Sequence, residues 1–104
     1  MKIDKYFKEI TKKNLEINLS NIQKATNLIL KLKKKNKVIL AGNGASSSIS
    51  SHISIDLTKA ANIRAINFNE ANLLTCFSND FGYENWIKKS LEYYAFEEDL
   101  IILI

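Results

Sequence analysis

The chain contains no proline, three glycines, and a single cysteine, histidine and tryptophan among 104 residues. Arginine is equally scarce, with Arg64 standing alone. Each shortage excludes something. A lone Cys76 can form neither an internal disulfide nor a thiolate metal cage, which agrees with a reducing compartment and leaves it the role of buried filler. A lone His52 cannot complete a zinc site within this sequence. The net charge of +4 is carried by lysine, and no arginine-rich or aromatic stripe accompanies it, so nucleic acid is not an expected partner. No apolar run approaches the roughly 18 residues a membrane span needs, and residues 1–13 alternate charge with apolar side chains where a signal peptide has an apolar core. A cytoplasmic protein with no membrane association is expected.

What is present is ordinary for one globular domain, with 46% apolar and 25% charged residues. Ile3, Phe7, Ile10 and Ile17, then Leu19, Ile22, Ile29 and Leu32, recur at spacings near three and four and predict amphipathic helix over residues 1–36. A break is expected near residues 14–20, with Asn18 or Ser20 capping the second segment. Lys31, Lys33, Lys34, Lys35 and Lys37 then read as a solvated helix end, where cations complement the last carbonyls.

Residues 37–104 change character. Lys37-Val-Ile-Leu-Ala41 is a short β-branched run that passes at once into Gly42-Asn43-Gly44 and a serine-rich stretch, predicting strand, tight turn and helix. Residues 63–68 predict a second strand, 69–77 a short helix, 83–96 a helix bearing Trp86, Ile87, Leu91 and Tyr94, and 100–104 a third, wholly apolar strand. Strands that read as continuous apolar runs between helices indicate a parallel sheet covered on both faces, hence an α/β fold with right-handed crossovers. The closing Leu-Ile-Ile-Leu-Ile carries a further expectation, that the chain is the first part of a longer domain.

The sharpest chemical signal is Gly42-Asn43-Gly44-Ala45-Ser46. A strand ending in such a turn before a helix gathers free amide groups and the positive end of a helix dipole, which favours an anion. Glycine permits close approach of a ligand, Ser46 can cap the helix or bond an oxygen, and Asn43 can reach a hydroxyl. Ser47 stands where a dinucleotide fingerprint requires its third glycine, and the lysine of a P-loop is missing. The serines that follow, at positions 46, 47, 48, 50, 51 and 54, serve close packing at some positions and polar contact at others. His52 and Asp56 lie four apart on one helix face, as a metal-ligand pair, an acid/base pair or a histidine held by a carboxylate; spacing alone favours the last. Asn79-Asp80-Phe81-Gly82-Tyr83 reads as a turn before the Trp86 helix, with Asp80 able either to serve the turn or to hold sugar hydroxyls.

Taken together, Val38-Ile-Leu-Ala-Gly-Asn-Gly-Ala-Ser46, His52, Asp56-Leu57 and Ser78-Asn-Asp-Phe-Gly-Tyr83 resemble, in order and spacing, the phosphoheptose isomerases. The resemblance implies a three-layer, flavodoxin-like parallel sheet of the sugar isomerase (SIS) type, of which this chain holds the N-terminal half. It also implies homotetramers and interconversion of sedoheptulose 7-phosphate with an aldose phosphate through an enediol. By resemblance, Asn43, Gly44, Ala45, Ser46, Asn79 and Asp80 contact the sugar phosphate, and His52 takes a zinc-ligand position. Asp56 stands where the family has a glutamate that is both zinc ligand and catalytic base. The family's serine-rich phosphate loop and second catalytic histidine fall after the strand ending at Ile104. A non-catalytic phosphosugar-binding or regulatory SIS module is the other expectation.

Overall fold

The computed structural model describes residues 2–104. It divides into two units, one ending at Leu30 and the other spanning Lys31–Ile104.

The first unit holds helices α1 (Ile3–Leu15) and α2 (Leu19–Leu30). Asn18 caps α2, its Oδ1 accepting from the Asn21 amide at 3.1 Å. Asp4 in the first turn of α1 and Lys12 and Lys13 in the last complement the helix dipole. Among the described residues of both helices none is buried, and apolar side chains such as Phe7, Leu15 and Leu19 are exposed.

The second unit runs β1 (Val38–Ala41), α3 (Ala45–Lys59), β2 (Ala65–Asn67), α4 (Ala71–Phe81), a 3-10 turn (Tyr83–Asn85), α5 (Trp86–Tyr94) and β3 (Leu100–Leu103). The strands form one sheet in the order β2-β1-β3, and both pairings are parallel. Ile39 of β1 aligns with Ile66 on one side and Ile101 on the other. Central β1 is buried at every position, as its uninterrupted apolar run predicts.

Side chains of a strand alternate between faces, so β1 serves two cores. Ile39 and Ala41 join Phe68 and Trp86 in a buried cluster, against which Leu73, Leu74 and Phe77 of α4 and Ile87 and Leu91 of α5 pack. The opposite face, with Val38 and Leu40, is covered by α3, whose Ser50 and Ser54 are buried there. Small side chains let that helix approach the sheet closely. The crossover from β1 to β2 therefore lies on one face and the crossover from β2 to β3 on the other.

Four expectations are corrected. Residues 79 and 80 lie in the last turn of α4, which continues to Phe81 and stops only at Gly82, with φ of 89°. Cys76 is exposed on α4. Helix α2 stops at Leu30, so residues 31–36 lie outside the helix expected over residues 1–36. Lys37 is no part of a solvated helix end; it is buried at the amino edge of the sheet.

There Asp99 organises the entry to β3. Its Oδ1 accepts from the Lys37 amide at 3.0 Å and from Asn36 Nδ2 at 3.1 Å. Its Oδ2 accepts from the Phe96 amide at 2.9 Å and pairs with the Lys37 ammonium, which sits 4.3 Å from the centre of the Phe96 ring. The Asp99 side chain is 1% exposed. Burial alone would raise its pKa, but the Lys37 ammonium, the Phe96 amide, Asn36 and the Lys37 amide together outweigh burial and lower it to about 2.

Candidate functional site

At the carboxyl end of β1 the chain makes its tight turn. Gly42 is buried, and a Cβ there would lie 2.8 Å from the Ser46 backbone and 2.9 Å from the Ile104 carbonyl oxygen. Glycine is required at that position by contact. Gly44 is required by conformation: it precedes α3 with φ of 59° and ψ of −128°, and a Cβ on it would meet nothing within 4 Å. Space beside the turn is open. Asn43, Gly44 and Ala45 are exposed and Ser46 is half-buried.

The first turn of α3 is only partly satisfied internally. The Ser46 amide donates to the Asn43 carbonyl at 3.1 Å, and the Ser47 amide and hydroxyl donate to the Gly44 carbonyl at 3.0 and 2.7 Å. Gly44 is thus the cap residue, with no side-chain cap, and Ser47 rather than Ser46 closes the turn. Among the described residues no partner is found for the amides of Asn43, Gly44 and Ala45. They lie at the positive end of a 15-residue helix, an arrangement suited to phosphate or another anion.

The position in the sheet matters as much as the turn. β1 is central, and the crossovers from β1 to β2 and from β2 to β3 run on opposite faces, so its carboxyl end lies at the topological switch point where open α/β sheets bind ligands. Alanine at position 44 would have to adopt backbone angles that only glycine visits freely, at a strain of about 1–3 kcal/mol. The Gly44→Ala chain is expected to show a lower urea midpoint by a corresponding amount and at least tenfold weaker anion binding at the turn. An unaltered midpoint would show that the turn is not held in this conformation.

His52 and Asp56 are neighbours on α3, with His52 Nε2 and Asp56 Oδ2 3.1 Å apart and Lys59 Nζ 3.8 Å from Asp56 Oδ1. The histidine side chain is 77% exposed and the aspartate 48%. Among the described residues no group of three or more histidine, cysteine or acidic side chains is placed to hold a metal ion. Two donors already turned toward each other do not make a zinc site, which takes at least three protein ligands.

On α4 the Asn79 amide nitrogen donates to Asp80 Oδ1 at 3.1 Å, and the Cys76 thiol lies 3.7 Å from Asp80 Oδ2. Both residues are exposed, and no hydrogen bond among the described residues joins them to the turn at 42–46. Glu70 caps α4, accepting from the Leu73 and Asn72 amides, which in that order hold its carboxyl below the usual range. Two asparagines passed over in the sequence, Asn67 and Asn69, do reach the site. Asn69 bonds both polar groups of Gly42, and Asn67 bonds Ser51 and Ser54 of α3. Their only local signal is a pair of amides at the end of a predicted strand.

A parallel sheet ordered 2-1-3, with crossovers on opposite faces and an open glycine turn after the first strand, makes a three-layer α/β arrangement that matches the fold of the SIS phosphoheptose isomerases. In sequence, too, the chain is similar to the phosphoheptose isomerases. It is 35% identical over 95 residues to the phosphoheptose isomerase of Buchnera aphidicola subsp. Schizaphis graminum, covering 86% of this chain and 49% of that protein. Against the Helicobacter pylori strain P12 phosphoheptose isomerase it is 29% identical over 102 residues, covering 91% and 53%. The structure of a phosphoheptose isomerase from Neisseria gonorrhoeae superimposes with a TM-score of 0.85 at 21% identity, covering 97% of this chain and 57% of that one. No family model matches. The chain spans about half the length of the curated relatives it matches.

Proposed function

We propose that these residues form the sugar-binding half of a phosphoheptose-isomerase-like site, with sedoheptulose 7-phosphate as the ligand. The observation that carries this reading is the open turn at 42–46, with three unpartnered amides at the switch point of the sheet. In this reading the backbone amides of Asn43, Gly44 and Ala45 hold oxygens of the phosphorylated sugar while the side chains of Asn43, Ser46, Asn79 and Asp80 bond its hydroxyls. Asp56 takes the position of the base that moves a proton between adjacent carbons. Zinc, implied by the same relationship, needs donors beyond His52 and Asp56, so no step is assigned to it. A cytoplasmic location and assembly into a homotetramer complete the proposal.

With one histidine in 104 residues, binding without turnover is expected of this segment alone. Titration with sedoheptulose 7-phosphate should move the backbone amide resonances of residues 43–46 before any others. Shifts that avoid this turn would remove the assignment.

The exposed, mutually paired His52 and Asp56 favour a second reading, a phosphosugar-binding module without catalysis. Asp56 is one methylene shorter than glutamate, and a displacement of about 1 Å in a reacting group costs on the order of a hundredfold in rate. For an enzyme, Asp56→Glu should raise ketose-to-aldose conversion by about that factor, measured with and without added zinc on a protein of the full length its curated relatives have. Phosphosugar binding with no conversion in either form would favour the module.

A further inference from the structure

β2 ends as a strand at Asn67, but pairing along β1 continues past it. The Phe68 amide donates to the Leu40 carbonyl at 3.1 Å. One step further, where the backbone already departs toward α4, a side chain replaces the peptide. Asn69 Nδ2 donates to the Gly42 carbonyl at 2.6 Å, and Asn69 Oδ1 accepts from the Gly42 amide at 3.2 Å. A carboxamide offers the same donor and acceptor as a peptide group, so both polar groups of the buried Gly42 are met by one residue.

Asn69 is itself held. Its amide donates to Asn67 Oδ1 at 3.0 Å, the same oxygen lies 3.4 Å from the Ser51 hydroxyl, and Asn67 Nδ2 lies 3.3 Å from Ser54 Oγ. A continuous polar path therefore leads from the middle of α3, across the end of β2, to the base of the glycine turn. The Ser46 backbone and the Ile104 carbonyl crowd Gly42, and Asn69 fixes its peptide orientation.

We propose that Asn69 is a positioning residue for the ligand-binding turn: by clamping both polar groups of Gly42 it holds the amides of Asn43, Gly44 and Ala45 in one orientation toward a phosphorylated sugar. This rests on the reading of that turn as the ligand site.

Two variants test it. Asn69→Ala removes both bonds. Asn69→Asp keeps an acceptor for the Gly42 amide, but when ionised it sets an oxygen against the Gly42 carbonyl; protonation restores a donor. The clamp should thus be open at neutral pH in both variants and close again in acid only in Asn69→Asp. Glu70, Cys76 and Asp80 on the α4 side and His52, Asp56 and Lys59 on α3 also titrate, so the unaltered chain over the same pH range supplies the baseline. The readouts are the hydrogen-exchange protection of the Gly42 amide without ligand, and titration with sedoheptulose 7-phosphate beside inorganic phosphate.

At neutral pH, Gly42 protection should fall about tenfold in Asn69→Ala, the equivalent of one ordinary hydrogen bond, and by less in Asn69→Asp, whose carboxylate still accepts from that amide, while Ile39 in the core is unaffected. Sugar-phosphate affinity should fall with it, and both should recover in acid in Asn69→Asp alone. Unchanged Gly42 protection in Asn69→Ala overturns the proposal, as does lost protection with unchanged affinity. If the unaltered chain binds neither compound, the ligand reading and the positioning role fall together. That outcome is distinguishable because the exchange measurement needs no ligand.

Discussion

Replacing Trp86 with alanine is expected to destabilise the sheet unit by about 3–5 kcal/mol, the usual cost of emptying a large aromatic site in a core. Trp86 is 1% exposed and is the largest fully buried side chain, the element through which the start of α5 reaches Ile39 and Ala41 of the central strand. The cavity opens where α4, α5 and the sheet meet, so neighbours on three elements lose contacts together. A domain of this size has a total stability toward the low end of about 5–15 kcal/mol, so the variant should be left only marginally stable and unfold at much lower denaturant. Because the chain has a single tryptophan, unfolding has to be followed by circular dichroism. Trp86→Phe, which keeps an aromatic ring in the site, should retain a cooperative transition. A shift below about 1 kcal/mol in Trp86→Ala would mean that this core does not hold the unit together.

The second large effect belongs to Asp99. Removing one member of a buried ion pair costs about 3–5 kcal/mol, chiefly because the remaining charge is left without a partner, and Asp99→Asn does this to Lys37. The carboxyl is lowered to about 2 in the folded chain from an ordinary value of 3.8, so its contribution is fully present above pH 3.8 and is lost as the pH falls toward 2. Acid titration of stability should therefore show a loss in that window, shallower in Asp99→Asn. Exposed Glu70, Glu92 and Glu98 are also lowered, by the Leu73 amide, Lys89 and Lys33 respectively, and leave a residual slope in the variant. Removing the stranded ammonium as well, as Lys37→Met in the Asp99→Asn chain, should recover most of the stability lost in the single variant. Equal loss in single and double variants would show that packing, and not an orphaned charge, is at stake.

These two sites differ in how far the sequence announces them. Trp86 could be placed in the core from its spacing with Ile87, Leu91 and Tyr94, a local pattern that one helix enforces. Val38 to Ala41 likewise read as a strand of a parallel sheet covered on both faces, but its central place did not show, since the equally apolar Leu100–Leu103 lies at the edge with Ile101 and Leu103 exposed. Lys37 did not declare itself. Within a run of lysines it looks solvated, and its true partner, Asp99, lies 62 positions away. Asn69 is hidden for the same reason, since its contacts with Gly42 span 27 positions and appear only once β1 and β2 are paired.

The polar motif at 78–83 failed differently. Asn79, Asp80 and Gly82 carry turn chemistry, yet Glu70 caps a helix that continues through the first two and uses the glycine as its terminator. Of the candidate site, the glycine turn and the His52–Asp56 adjacency were legible because each is fixed by neighbours in sequence. Family resemblance supplied the rest of the residue list, and the described residues bring Asn79 and Asp80 to each other but into no hydrogen bond with the turn.

On α3, Ser47, Ser50, Ser54 and Thr58 all spend their hydroxyls on carbonyls three or four residues earlier, in the helix or at its cap. Such back-bonding slightly weakens a helix, and serine is a mediocre helix former to begin with. The segment has little inclination to coil in isolation and takes its order from docking on β1 and β2. The anion-facing amides at its start are then rigid only while the strands beneath remain paired, so recognition and folding share a single cooperative unit.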